Sequence, residues 1–229
     1  MESANRWENV VKYSHSNFLI NKDTYGAMPH TPKIAVVAMQ GDYAKHIEML
    51  RSLDADATTA RLPHEIEEAD AIVIPGGEST TIGKMLVRYG MDDAIKKASE
   101  AGKPIYGTCA GLILLSQRIA AGTGESGGQP TLGLLDVTVT RNGFGRQTDS
   151  FETTVNAPEV SDTPLHALFI RAPYISEAGD GVVALAKYEG KTVFVQQGNI
   201  LATAFHPELV GDARVHRYFL SMIGQGSTR

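Results

Sequence analysis

Short, unbroken apolar runs alternate with segments of helical spacing through the first half of this chain. Ile34, Ala35, Val36, Val37 and Ala38 follow one another without a polar residue. Such a run marks a strand buried on both faces, and it predicts a strand over Lys33 to Met39. Ile47, Leu50 and Leu53 recur at helical spacing, predicting a helix over Asp42 to Leu53. Ala57 to Ala60 reads as a short second strand and Ala71 to Ile74 as a third. Helices are predicted over Thr80 to Tyr89 and Met91 to Ala101. A further strand starts at Ile105 and leads into a helix over Ala110 to Ala120. This alternation predicts a mainly parallel sheet with helices on both faces.

The second half is richer in strands. Extended segments are predicted over Leu134 to Thr140, Phe151 to Val155, Ala167 to Ile170, Val182 to Tyr188, Thr192 to Gln196 and Ile200 to Phe205. Tyr188-Glu189-Gly190-Lys191 and Gln197-Gly198-Asn199 carry hairpin-turn residues. A closing helix is expected over Ala213 to Ile223. The fold class is therefore α/β, a three-layer arrangement with a mainly parallel or mixed sheet flanked by helices. No internal repeat and no linker divides the chain, so one domain is expected over residues 33–223. Residues 1–32 read as a disordered extension, with at most a weak helix over Trp7 to Tyr13. It lacks a secretory pattern, and Met28 is a plausible alternative start. Gly122 to Pro130 reads as a Gly/Ser-rich surface loop, and residues 224–229 as a frayed tail.

Composition narrows the functional classes. At 229 residues the chain can bury the core of one α/β domain. A formal charge of −5 without a Lys/Arg cluster argues against nucleic-acid binding. No apolar stretch reaches the length of a membrane span. The single cysteine excludes an internal disulfide and a Cys-rich metal site. A reducing, cytoplasmic setting is the expectation.

That cysteine lies in Gly107-Thr108-Cys109-Ala110-Gly111, between a predicted strand and a predicted helix. Gly-x-Cys-x-Gly at such a junction is the cysteine form of a nucleophile elbow. The flanking glycines are expected to permit the tight turn, and the helix N-terminus favours the thiolate. A lone cysteine is otherwise a small core hydrophobe. His206-Pro207-Glu208 follows the last predicted strand. Pro207 disfavours helical backbone at His206, so the imidazole projects from a strand end, where parallel sheets gather their sites. Glu208 is placed to orient the ring, which makes Cys109, His206 and Glu208 an activated-nucleophile set. Taken alone, His-Pro-Glu is a weak signal that reads more readily as a surface turn with a solvated His and Glu. The other histidines, at positions 15, 30, 46, 64, 166 and 216, fall in predicted helices, loops or tails and are not first choices.

The third element is Pro75-Gly76-Gly77-Glu78-Ser79-Thr80-Thr81, between a strand and a helix. Paired glycines let backbone N–H groups converge on an anion, as an acyl-transfer enzyme requires at its oxyanion. A phosphate loop fits less well. Gly77 to Gly83 is one residue longer than the Walker spacing, and Met85 replaces the hydroxyl after Lys84. An ordinary turn capped by Ser79 or Thr80 would also account for the glycines.

Together these motifs resemble the class I, triad-type glutamine amidotransferases, with a flavodoxin-like fold. Four further segments are Gln40-Gly41-Asp42, the Pro75 to Thr81 loop in full, Arg141-Asn142-Gly143-Phe144-Gly145-Arg146-Gln147 and Phe169-Ile170-Arg171-Ala172-Pro173. With Gly107 to Leu112 and Phe205 to Leu209, they closely resemble the glutaminase subunits of pyridoxal 5′-phosphate synthases, from about Lys33 to Ile223. The N-terminal extension and the longer Gly122 to Pro130 loop depart from that pattern without touching a motif. The resemblance implies that Cys109 attacks the amide of L-glutamine, with His206 as base and acid and Glu208 orienting it. It implies an oxyanion hole at the backbone of Gly77 and Ala110. Glutamine contacts are implied at Gly76, Gly77, Glu78, Arg141, Ile170 and Arg171. An arginine suits the α-carboxylate, and Glu78 suits the α-ammonium. The implied partner is a synthase subunit in a large hetero-oligomer, which receives the ammonia. Gln40 and Gly41 lie where the resemblance puts that interface, and activity is expected to be low until docking completes the oxyanion hole. No cofactor or metal is implied, since pyridoxal 5′-phosphate is the product of the complex. Three alternatives are a glutaminase serving another synthase, a stand-alone cysteine hydrolase or chaperone sharing the elbow, and a binding module that has lost activity.

Overall fold

A computed structural model describes residues 30–120, 128–144 and 150–224. The weak helix predicted over Trp7 to Tyr13, most of the extension and of the Gly122 to Pro130 loop, Gly145-Arg146-Gln147, and the tail past Gly224 lie outside the described residues.

The first half folds as alternating strands and helices. They are β1 (Lys33–Val37), α1 (Tyr43–Arg51), β2 (Asp56–Ala60), α2 (Pro63–Glu67), β3 (Ala71–Ile74), α3 (Ser79–Arg88), α4 (Met91–Glu100), β4 (Ile105–Thr108) and α5 (Ala110–Leu115). The second half supplies β5 (Ser116–Ile119), β6 (Leu135–Thr140), β7 (Ser150–Val155), β8 (Leu165–Ile170), β9 (Tyr174–Ala178), β10 (Val183–Tyr188), β11 (Lys191–Gln197), β12 (Ile200–Thr203) and α6 (Arg214–Ser221).

The main sheet runs β2-β1-β3-β4-β12-β11-β9-β6-β5, with β10 paired to β11 off this path. Strands β2, β1, β3, β4 and β12 are parallel, while β11 meets both β12 and β9 antiparallel. The sheet is therefore mixed, with the strands that alternate with helices in the first half parallel, β9 antiparallel to both β11 and β6, and β5 parallel to β6 at the far edge. β7 and β8 form a separate antiparallel pair. The parallel strands are apolar because they are covered on both faces: Ile72, Val73, Ile74, Ile105 and Tyr106 are fully buried.

Three local features differ from the pattern reading. The helix after the elbow ends at Leu115, and Ser116 begins β5 at once. The Ser116 hydroxyl donates to the Ile113 carbonyl at 2.8 Å and takes up an acceptor the next turn would have used. β5 then gains a parallel ladder against β6, with Arg118 reaching Asp136 at 2.8 Å. Helix α2 was not foreseen, although Pro63 at its first position and Glu65 are start signals; Glu65 accepts from the N–H groups of Arg61 and Leu62. Strand β9 was also passed over. Its single apolar inward residue, Ile175, gives little alternation to read.

Candidate active site

One strand register brings the predicted chemistry together. β12 runs parallel to β4 with Thr203 opposite Thr108. Cys109 follows Thr108, and His206 lies three residues past Thr203, so both emerge at the same carboxyl edge. The Cys109 N–H donates to the Thr203 carbonyl at 2.8 Å, and the His206 N–H to the Leu168 carbonyl at 2.9 Å. The second bond ties β8 to the edge as well.

The elbow differs from expectation in which residue bears the strain. Cys109 itself has φ 49° and ψ −98°, whereas Gly107 and Gly111 keep negative φ. The glycines instead permit close packing. A side chain on Gly111 would collide with the Ile74 carbonyl of β3, and one on Gly107 would press on Leu115 and the Gly111 backbone. A non-glycine residue held at positive φ is strained, and it turns the cysteine side chain off the strand line. Cys109 is buried, with Sγ 3.9 Å from the Ile170 carbonyl oxygen.

His206 has φ −113° and ψ 83°, which is non-helical as the following proline requires, and a 3₁₀ turn over Pro207–Leu209 comes next. That turn folds Glu208 back so that its Oε1 lies 2.7 Å from His206 Nδ1. Both residues are buried. Burial works against charge on the ring, but hydrogen bonds to Cys109 and Glu208, and their charge, outweigh it and push the His206 pKa up to about 10. Glu208 shows the opposite balance. Burial would raise its pKa, yet His46 and His206 hold it well below the carboxylate range. With Nδ1 bound to the carboxylate, Nε2 is the ring nitrogen left to serve the sulfur.

Beneath Glu208 lies a buried polar cluster. His46 of α1 places Nε2 3.3 Å from Glu208 Oε1 and 3.1 Å from Thr108 Oγ1. Its Nδ1 is 2.9 Å from Nε2 of His216 on α6. Tyr106 packs edge-on against both rings, and its hydroxyl lies 3.0 Å from Thr203 Oγ1.

The Gly76-Gly77 loop closes over the histidine. A side chain on Gly76 would collide with His206 Cε1, so only glycine lets the loop lie against the ring. Gly77 has φ 150°, and a Cβ there would fall 2.5 Å from Gln40 Oε1. That Gln40 oxygen accepts from the Glu78 N–H at 2.6 Å. Gly41 packs so closely on the Gly76 carbonyl that a side chain would clash with it. Gln40 and Gly41 are thus wedged directly against this loop. Ala110 opens α5, so its N–H has no carbonyl within the helix to bond.

Glu78 is the N-cap of α3, in place of the Ser79 or Thr80 cap foreseen as an alternative. Its carboxylate accepts from the N–H groups of Thr80 at 2.9 Å and Thr81 at 2.7 Å. Burial opposes this charge, but the bonds from Thr81 and Thr80 draw the pKa down to about 2. Arg141 stands 3.9 Å from Glu78, and its Nη1 donates to Gln129 Oε1 at 3.1 Å. The same Gln129 oxygen accepts from the hydroxyls of Ser79 and Thr80. The Arg141 turn is pinned beside the next segment by a bond from the Gly143 N–H to the Ala172 carbonyl at 2.9 Å. Arg171, at φ 42°, is exposed immediately after Ile170. Lys191 supports this corner, donating to the Gly143 carbonyl and lying over the rings of Phe144 and Tyr174.

The fold therefore gathers Cys109, His206, Glu208, Gly76, Gly77, Ala110 and Ile170 around one edge, with Glu78 and Arg141 on its rim and Gln40-Gly41 behind the loop. Pattern reading missed His46, His216 and Gln129. A signal existed for the first two. His46 stands three residues after Tyr43 and four before Leu50, on the inward face of α1. His216 stands four before Leu220, on the inward face of α6.

Sheet order and strand-edge cysteine together define a class, and the fold is that of the class I glutamine amidotransferases. The chain belongs to the SNO glutamine amidotransferase family, whose model matches residues 36–225. It is 49% identical over 188 residues to the pyridoxal 5′-phosphate synthase subunit PdxT of Pelotomaculum thermopropionicum, covering 82% of this chain and 93% of the relative. With the subunit of the same name from Herpetosiphon aurantiacus it shares 50% identity over 190 residues, 82% of this chain and 99% of that one. A glutamine amidotransferase of known crystal structure is 44% identical, superimposes with a TM-score of 0.77, and is matched over 83% of this chain and 98% of its own. Among the described residues no helix is long and apolar enough to cross a membrane.

Proposed function

We infer that this chain is the glutaminase subunit of a pyridoxal 5′-phosphate synthase, releasing ammonia from L-glutamine for a synthase partner. The observation that carries this reading is the buried His206–Glu208 pair at 2.7 Å, on the sheet edge that holds the strained Cys109.

The chemistry follows from that geometry. His206 Nε2 already holds the proton taken from the thiol, in keeping with its raised pKa, and Sγ bonds to the amide carbon of glutamine. The imidazolium is stabilised by Glu208, which accepts the Nδ1 proton. Backbone N–H groups of Gly77 and Ala110 receive the charge that develops on the amide oxygen. His206 then gives its proton to the departing nitrogen, which leaves as ammonia while a glutamyl thioester remains. Water adds to the thioester, again yielding its proton to His206, and glutamate leaves as the thiol is restored. Arg141 and Arg171 offer cations for the α-carboxylate. Glu78 offers the anion for the α-ammonium while it caps α3, since each carboxylate oxygen accepts more than one bond.

The partner is a synthase subunit of the kind found with PdxT proteins, docked over Gln40-Gly41 in a hetero-oligomer. Gln40 already bonds the Glu78 N–H. A partner that takes hold of Gln40 therefore acts directly on the Gly76-Gly77-Glu78 backbone and on the donors of the oxyanion hole. Low glutaminase activity alone and high activity in the complex follow. A reaction inside the cytoplasm accords with the free thiol.

The test is glutamate release from L-glutamine with and without the synthase subunit, with Cys109→Ala as control. Release that rises with the partner and disappears in the variant is expected. No release by the folded complex overturns the reading.

A further inference from the structure

We propose that His46 is a positioning residue for the catalytic carboxylate, its Nε2–H holding Glu208 in place from helix α1. The inference rests on the glutaminase reading above.

Four polar side chains under the triad are fully buried: His46, Thr108, Thr203 and His216. Buried polar groups are costly unless each is satisfied. Glu208 Oε1 faces two imidazoles, His206 Nδ1 at 2.7 Å and His46 Nε2 at 3.3 Å. Its Oε2 has no partner among the described residues. All the fixed contacts of this carboxylate therefore converge on one oxygen.

The contacts decide where the protons sit. A carboxylate only accepts. A bare nitrogen lone pair 3.3 Å from Oε1 would be repelled, so His46 Nε2 carries hydrogen, shared between Oε1 and Thr108 Oγ1. In the neutral ring Nδ1 is then bare, and it accepts from His216 Nε2–H at 2.9 Å. That leaves His216 Nδ1 without hydrogen, and it is the one ring nitrogen of the cluster without a partner. An unpaired lone pair there costs less than a buried, unpaired N–H. The chain from His216 through His46 to Glu208 is thus consistent at every atom. The same direction of effect appears in the carboxylate, since the hydrogen bond from His46 helps to lower the Glu208 pKa.

His46 also touches Thr108, the residue before the nucleophile. One ring therefore fixes both the elbow strand and the carboxylate that aims the base. Loss of that ring would misalign the base while leaving the glutamine-binding rim intact, and the damage would fall on kcat rather than KM.

The experiment uses the assembled complex with the synthase subunit. His46→Leu is expected to lower kcat for glutamine hydrolysis by about 10- to 100-fold with KM within about twofold. His46→Gln, which restores an N–H near the Nε2 position, is expected to recover kcat to within about threefold. A folded His46→Leu complex with wild-type kcat, or a His46→Gln complex as impaired as His46→Leu, would overturn the proposal. Should His46→Leu fail to fold, nitrogen-15 NMR of histidine-labelled wild-type protein decides. The Nε2–H tautomer at His46 supports the assignment, and an Nδ1–H tautomer overturns it. Failure of the glutaminase reading shows separately, as a wild-type complex that releases no glutamate.

Discussion

The Cys109 N–H donates to the Thr203 carbonyl at 2.8 Å, across the parallel pairing of β4 with β12. This bond couples the elbow to the strand that ends in His206. Nucleophile and base are therefore set by sheet register rather than by loop conformation, and rigid elements hold catalytic groups more closely than loops do.

The His206 proton gives a pH signature of stability. Its folded pKa, pushed up to about 10, lies above the ordinary value of 6.5, so the folded state binds the proton more tightly. The resulting stabilisation is fully present below about pH 6.5, declines as pH rises, and is gone above about pH 10. Thermal melts of wild type and His206→Gln should differ most at the acid end of that window and converge at the alkaline end. A gap that widens with rising pH would contradict this assignment.

Gly76 has no room for a Cβ because the His206 imidazole occupies that space. Gly76→Ala must move either the loop or the ring. Overpacking of this kind costs about 1–3 kcal/mol. A kcat loss of about 100-fold is expected from misplacing the base. Urea unfolding and steady-state kinetics check the two parts.

Glu78 caps α3 through Thr80 and Thr81. Glu78→Ala should destabilise the chain by about 0.5–2 kcal/mol in chemical denaturation, and Glu78→Asp, a good cap, by less. Equal stability of Glu78→Ala and wild type would remove the cap from the account.

Arg141 is held by Gln129 and faces Glu78 on the rim of the site. Arg141→Ala should raise KM for glutamine by about 10- to 100-fold, the range of one charge-assisted hydrogen bond, with a smaller change in kcat. A fall in kcat alone would move Arg141 from binding to chemistry.

Much of this architecture is legible in the sequence, because the apolar run from Ile34 to Ala38 and its counterpart at Ala71 to Ile74 are rich in β-branched residues and too short for a buried helix between their turn residues. The elbow is legible because glycines flank a cysteine at a strand-to-helix change. What was misread there was the task of those glycines: Gly111 admits the Ile74 carbonyl, while Cys109 takes the positive φ. Close approach between distant segments leaves no local trace. The end of α5 at Leu115 was illegible for a similar reason, since Ser116 leaves the helix to join β6, which lies across the intervening loop. His46 escaped because a histidine on an inward helix face looks the same whether it packs or positions. Only tertiary structure sets it beside Glu208.

The most direct measurement is acid-quenched mass spectrometry of the complex during turnover of L-glutamine. The account predicts an adduct of one glutamyl group on the peptide carrying Cys109, absent from Cys109→Ala and long-lived in a His206→Gln variant acylated with an activated glutamyl substrate. Glutamate release that continues in Cys109→Ala, or a glutamyl adduct on any other residue, would contradict it.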